Sequence, residues 1–134
     1  MSNNVLRGGC LCGAVRYEAA GASLKVANCH CSMCRRHSGA AFLTYAAFPK
    51  DSICFSGKTL AGHRSSKEAV RSHCANCGSP VTFVFDSDPE TIWVTVGTLD
   101  FPDMIKPTEN WYVADKLAWV ALDDTLPQWQ GAPD

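Results

Sequence analysis

The clearest pattern along the chain is an alternation of apolar and polar positions with period two. Val81, Phe83 and Phe85 face one way and Thr82 and Val84 the other. After a turn at Asp86-Ser-Asp-Pro-Glu90 the alternation resumes over residues 91–96, with Ile92, Val94 and Val96 on one side. Strand side chains repeat every two residues, so these segments predict a hairpin and the firmest part of the core. Residues 14–18, 24–27, 40–48, 53–55, 59–63 and 69–72 read as further short strands, the third of them stopped by Pro49-Lys-Asp51. Residues 99–109 hold Pro102 and Pro107 and read as an irregular crossing, after which 111–113 and 117–121 close the sheets. One short helical turn is expected over 33–37, with Ser32 as its N-cap and Gly39 as its stop. The expected class is mainly β: short antiparallel strands in a single domain over 1–134, with its core over about 7–127 and a loose tail at 128–134.

Charge narrows the partners. Twelve Lys and Arg balance thirteen Asp and Glu for a net −1, which speaks against a basic nucleic-acid footprint or a polybasic membrane anchor. Apolar runs fall well short of the roughly 18 residues of a spanning helix. The first seven residues lack the apolar stretch of a secretory signal, so a cytoplasmic location is expected.

Eight cysteines change the picture more than charge does. Cytosolic thiols are kept reduced, so a cysteine-rich chain there points to metal rather than disulfides. Seven of them fall into three clusters: Cys10-Leu-Cys12, Cys29-His-Cys31-Ser-Met-Cys34 and Cys74-Ala-Asn-Cys77. Tetrahedral zinc with bonds of about 2.3 Å needs sulfurs about 3.8 Å apart. A C-x-C pair and a C-x-x-C turn, each followed by a glycine (Gly13 and Gly78), supply two sulfurs apiece and close a four-ligand site. The remaining three, Cys29, Cys31 and Cys34, have the ligand count of an open site. The start of the helical turn, with Arg35 and Arg36 beside it, favours thiolates at Cys31 and Cys34. Cys54, His30 and His37 stand as alternative fourth ligands that would make both sites structural. Cys54 itself reads as a small buried strand residue, and His63 and His73 as surface or core-edge residues. Three thiolates leave zinc a weak activator of water and a good partner for a thiol, so addition of a thiol to a carbonyl, or its reversal, is the expected chemistry. The deaminase signature and H-E-x-x-H are both absent.

Gly8-Gly-Cys-Leu-Cys-Gly-Ala-Val-Arg-Tyr17, Cys29-His-Cys-Ser-Met-Cys-Arg-Arg-His-Ser-Gly39 and Arg71-Ser-His-Cys-Ala-Asn-Cys-Gly-Ser79 together resemble the glutathione-dependent formaldehyde-activating enzyme family, which includes centromere protein V. The resemblance implies a β-tent zinc fold with Cys10, Cys12, Cys74 and Cys77 on a structural zinc and Cys29, Cys31 and Cys34 on a catalytic one. It implies a carbon–sulfur lyase or synthase joining a small thiol such as glutathione to an aldehyde such as formaldehyde. Arg35 and Ser38 match family positions beside the zinc loop and are candidate substrate contacts, while His63 and Asn110 depart from the family pattern at positions expected to line the pocket. The competing class is a non-enzymatic zinc scaffold for a protein or chromatin partner.

Overall fold

The computed structural model describes residues 5–57 and 60–133. Residue 59, where a strand was expected to begin, residues 1–4 of the leader reading and the last tail residue lie outside them. Among the described residues there are ten strands and one α-helix. In chain order they are β1 (Val5–Gly9), β2 (Arg16–Ala20), β3 (Lys25–Cys29), α1 (Ser32–Ser38), β4 (Leu43–Pro49), β5 (Ile53–Ser56), β6 (Leu60–Arg64), β7 (Ala69–Cys74), β8 (Pro80–Phe85), β9 (Thr91–Thr95) and β10 (Glu109–Trp111). A three-stranded sheet runs β1-β2-β5, and a seven-stranded sheet runs β10-β3-β4-β9-β8-β7-β6. All pairings are antiparallel except β10 on β3. The expected hairpin forms, with Thr82 opposite Val94 and Phe83 opposite Trp93. No helix among the described residues is long and apolar enough to cross a membrane.

Strand β4 shows how the sequence divides the interior. Ala46 and Phe48 join Val26, Val81 and Val94 of the large sheet against Leu6, Tyr17, Ala19 and Ile53 of the small one. The alternate residues Tyr45 and Ala47 belong to a second cluster with Ala27, Trp93, Trp111 and three cysteines. Period-two alternation thus gives one strand two buried faces, one for the core between the sheets and one for the site.

Several expectations change. β1 is unannounced because Arg7, Gly8 and Gly9 break any apolar alternation, yet it pairs along its whole length with β2. Residues 117–121 do not close a sheet: Lys116 Nζ donates to the carbonyls of Leu117 and Val120 in a turn, and Trp119 is 76% exposed. The closing role passes to the tail. Asn110 N–H donates to the Pro127 carbonyl, Trp129 N–H to Asn110, Val113 N–H to Trp129 and Tyr112 N–H to Gly131. Backbone pairing of this kind pins a segment that composition alone leaves loose. Cys54 is exposed on β5, not buried. The N-cap of α1 is Cys31, one residue earlier than expected, and Gly39 ends the helix in the left-handed conformation.

Gly57, just after β5, has φ +93°, and a Cβ there would overlap the carbonyl oxygen of Ala14. Both the left-handed backbone and the contact demand glycine. Gly57→Ala is therefore expected to lower stability by more than about 1 kcal/mol in urea denaturation with no change in the slope of the transition.

Candidate metal centres

Cys10 and Cys12 lie on the turn between β1 and β2, while Cys74 ends β7 and Cys77 sits on the turn into β8. The four sulfurs all lie within 4.8 Å of one another, with Cys10 and Cys12 at 3.6 Å and Cys12 and Cys74 at 3.9 Å. Those spacings match the edge of a tetrathiolate tetrahedron. Gly13 and Gly78 hold φ of +84° and +83°, and their N–H groups close tight turns onto the carbonyls of Cys10 and Cys74. Such turns present donors to the sulfurs. Val15 N–H reaches Cys10 Sγ at 3.2 Å, Cys77 N–H reaches Cys74 Sγ at 3.5 Å, and Asn76 Nδ2 donates to Cys12 Sγ at 3.2 Å. Ser79 Oγ lies 3.3 Å from Cys77 Sγ, and its hydroxyl with its backbone N–H pulls the Cys77 thiol down to about 5. Donors aimed at sulfur are what thiolate ligands need around them. None of the eight cysteines is in a disulfide.

The second group is made where β3 runs into α1. Cys29 is the last residue of β3, Cys31 caps the helix and Cys34 lies in its first turn, all three buried. Their sulfurs also lie within 4.8 Å of one another, and no other Cys, His, Asp or Glu among the described residues joins the group. Cys34 N–H donates to Cys31 Sγ at 3.3 Å. Hydrogen bonds from the Cys29 and Cys34 thiols, then from the Cys34 backbone, pull the Cys31 thiol down to about 2, while Cys29, the donor to Cys31, is pushed up.

Arg71 enters from β7, 2% exposed, and Nη1 lies 3.4 Å from Cys34 Sγ and 3.0 Å from Tyr45 Oη. Its Nε donates to Ser65 Oγ at 3.1 Å, and its guanidinium lies 4.7 Å over the Phe83 ring. A buried guanidinium is tolerable only when charge and hydrogen bonds meet it, and anionic sulfur supplies the charge. The three sulfurs, Arg71 and Tyr45 line one cavity of about 330 Å³ whose other walls include Phe83, Phe85, Trp93 and Trp111.

The remaining sequence candidates fall elsewhere. Cys54 is on the other sheet, and His30 is fully buried beside Phe42, its ring 4.8 Å away. His37 is on α1 outside the sulfur group. Arg35 lines a separate shallow cleft with Arg36, Leu117 and Trp119. Ser38 Oγ donates to the Cys34 carbonyl at 2.8 Å and accepts from Ala40 N–H, capping the helix end. His63 is exposed on the edge strand β6, and Asn110 is buried with its Oδ1 accepting from Asn28 Nδ2 at 3.1 Å, so neither lines the cavity. Sequence reasoning missed Arg71 and Tyr45. Their signal is parity, since Arg71 shares a strand face with buried Ala69 and Tyr45 interrupts an apolar run.

Residues 5–115 match the family model described as glutathione-dependent formaldehyde-activating enzyme. The chain belongs to this family. An uncharacterized lyase of Schizosaccharomyces pombe is 31% identical over 78 residues, covering 58% of this chain and 56% of that protein. The match thus spans about half the length of this curated relative. A crystal structure of a Rhodobacter sphaeroides protein, solved as a structural-genomics target, has a TM-score of 0.58 at 24% identity. It covers 92% of this chain and 98% of that one, which shows a shared fold. The two-plus-two and three division of the cysteines expected from spacing is how their sulfurs gather in space.

Thiolate ligands must be deprotonated to bind metal, so acid competes with the ion. Cys77 has its folded value lowered from 9.0 to about 5. What its thiolate contributes to stability is therefore complete above about pH 9 and is lost as pH falls through about 5. Metal-loaded protein titrated with acid should release ion into a colorimetric chelator near and below that pH, and Ser79→Ala should move the release to higher pH.

Proposed function

We propose that this chain is a zinc-dependent carbon–sulfur lyase or synthase acting on a small thiol–aldehyde adduct, resembling S-(hydroxymethyl)glutathione synthase in its reaction. Cys10, Cys12, Cys74 and Cys77 would hold a structural zinc and Cys29, Cys31 and Cys34 the reactive one. The observation that carries the reading is the group of three buried sulfurs beside Arg71 and Tyr45 in a walled cavity. Zinc bound by three thiolates supplies a position that holds an incoming thiol as its nucleophilic thiolate near neutral pH.

The chain's own residues account for the rest. In the synthetic direction the thiol sulfur bonds to the carbonyl carbon, the C=O π pair moves to oxygen, and the proton lost by the thiol ends on that oxygen. Lyase chemistry is the reverse. Tyr45 Oη accepts from Arg71, which leaves its own proton free to donate toward the carbonyl oxygen. Burial pushes the Tyr45 hydroxyl above its ordinary value, so it stays protonated at neutral pH. Arg71 holds positive charge against Cys34 and offsets the excess negative charge of the sulfur cluster. The aromatic walls keep water away from the nucleophile and from the adduct. Reduced cysteines are a condition of this chemistry, so the proposal locates the protein in the reducing cytoplasm.

The test is exchange spectroscopy on formaldehyde with a panel of small thiols, glutathione included, measured against the spontaneous reaction. Zinc-loaded protein should accelerate exchange. Cys31→Ser should remove the acceleration, lose one of two zinc ions and keep cooperative unfolding. Tyr45→Phe should lower the rate about 100-fold and also lower the melting temperature, because buried Arg71 Nη1 loses its oxygen acceptor, while the zinc content stays at two ions. Full activity in Cys31→Ser would overturn the assignment of the reactive site.

A further inference from the structure

We infer that the thiol partner bound in this cavity is a compact, uncharged, aromatic or apolar thiol rather than glutathione. The inference rests on the lyase reading above and specifies its substrate class. It comes from the balance of charge and apolar surface around the three sulfurs. Phe83 and Phe85 meet edge to face at 4.6 Å between ring centroids, and Trp93 and Trp111 meet at 5.0 Å. These four rings lie on the lining of the cavity.

Charge is sparse there. Arg71 and Glu68 are the charged side chains among the described lining residues other than the cysteines. Arg71 already spends Nη1 on Cys34 and Tyr45 and Nε on Ser65, with its plane laid on Phe83. Glu68 is exposed and negative. Glutathione carries two carboxylates and an ammonium group, each of which needs a partner once removed from water. A wall that offers one committed cation and one anion leaves both carboxylates poorly met and repels them at Glu68. A ring, by contrast, gains buried area and edge-to-face contacts against these side chains. The cavity of about 330 Å³ has room for a single aromatic ring with its thiol.

The test uses two thioethers that cannot supply a thiolate to the metal, benzyl methyl sulfide and S-methylglutathione, titrated into the zinc-loaded full chain. Tryptophan emission is the readout, because Trp93 and Trp111 face the cavity. Benzyl methyl sulfide should bind roughly tenfold tighter or better. In parallel, kcat/KM is measured for the hydroxymethyl adducts of benzyl mercaptan and of glutathione, with the same preference expected. Phe85→Lys adds a cation to the wall and should narrow the preference. If S-methylglutathione binds as well or better, or if benzyl methyl sulfide leaves the emission unchanged, the inference is overturned while the lyase reading stands or falls on turnover alone. If neither adduct is turned over but the aromatic thioether still binds tighter, the lyase reading fails and the apolar character of the site holds.

Discussion

The four sulfurs of Cys10, Cys12, Cys74 and Cys77 set the geometry on which the rest of the molecule depends. Two come from the end of β1 in the small sheet and two from the β7–β8 turn in the large one. Cys12 and Cys74 are 62 positions apart in the chain, so a metal held by all four sulfurs would tie two distant segments together only in the folded state. The hydrophobic core between the sheets is built from short strands around the fully buried Tyr17 and Phe48. A metal bound there would add a link at the seam between the two sheets.

Once β7 is anchored at Cys74, the position of Arg71 follows, three residues back along the same strand. Its guanidinium meets Cys34 from the α1 loop and Tyr45 from β4, so one side chain joins three elements at the reactive sulfurs. The four-sulfur group and the three-sulfur group are therefore joined through a single strand. The arrangement explains why a cation can be buried here: sulfur charge and the Tyr45 and Ser65 oxygens satisfy it together. Division of labour between the two clusters follows from the same geometry. One is ringed by backbone and side-chain donors at a seam, while the other opens onto a cavity.

Much of this was legible in the chain. Alternation located β8 and β9, but only β9 keeps the expected faces: Ile92, Val94 and Val96 pack together in the core, whereas Val81 joins that core and Phe83 and Phe85 turn to the cavity, across the register shift opposite Ser72 and His73. Cysteine spacing located each pair and the triplet because ligand geometry is local, whereas the two pairs, 62 positions apart at Cys12 and Cys74, meet only through the fold. Strand β1 was not legible, since Gly8 and Gly9 carry no apolar signal, and its place comes from pairing with β2. Apolar composition at 117–121 misled, because a turn held by Lys116 leaves Trp119 in solvent, while the tail takes up pairing with β10. Arg35 and Ser38 are adjacent to the reactive cysteines in sequence, but a helix rotates successive residues by about 100°, and neither reaches the cavity.

The sequence by itself determined the class of structure and the cysteine pairs and triplet from which the two sulfur groups are built. These are properties of residue type and short spacing, where covalent geometry does most of the work. Tertiary structure alone decided which charge and which walls surround the reactive sulfurs. Arg71 is 37 positions from Cys34 and Tyr45 is 26 positions from Arg71, and only the order of strands in the large sheet brings them together. The same order sets Phe83, Phe85, Trp93 and Trp111 around the site and leaves Cys54 on the outside of the other sheet. Long-range pairing chooses neighbours that no local pattern encodes, and in this protein those neighbours shape the pocket.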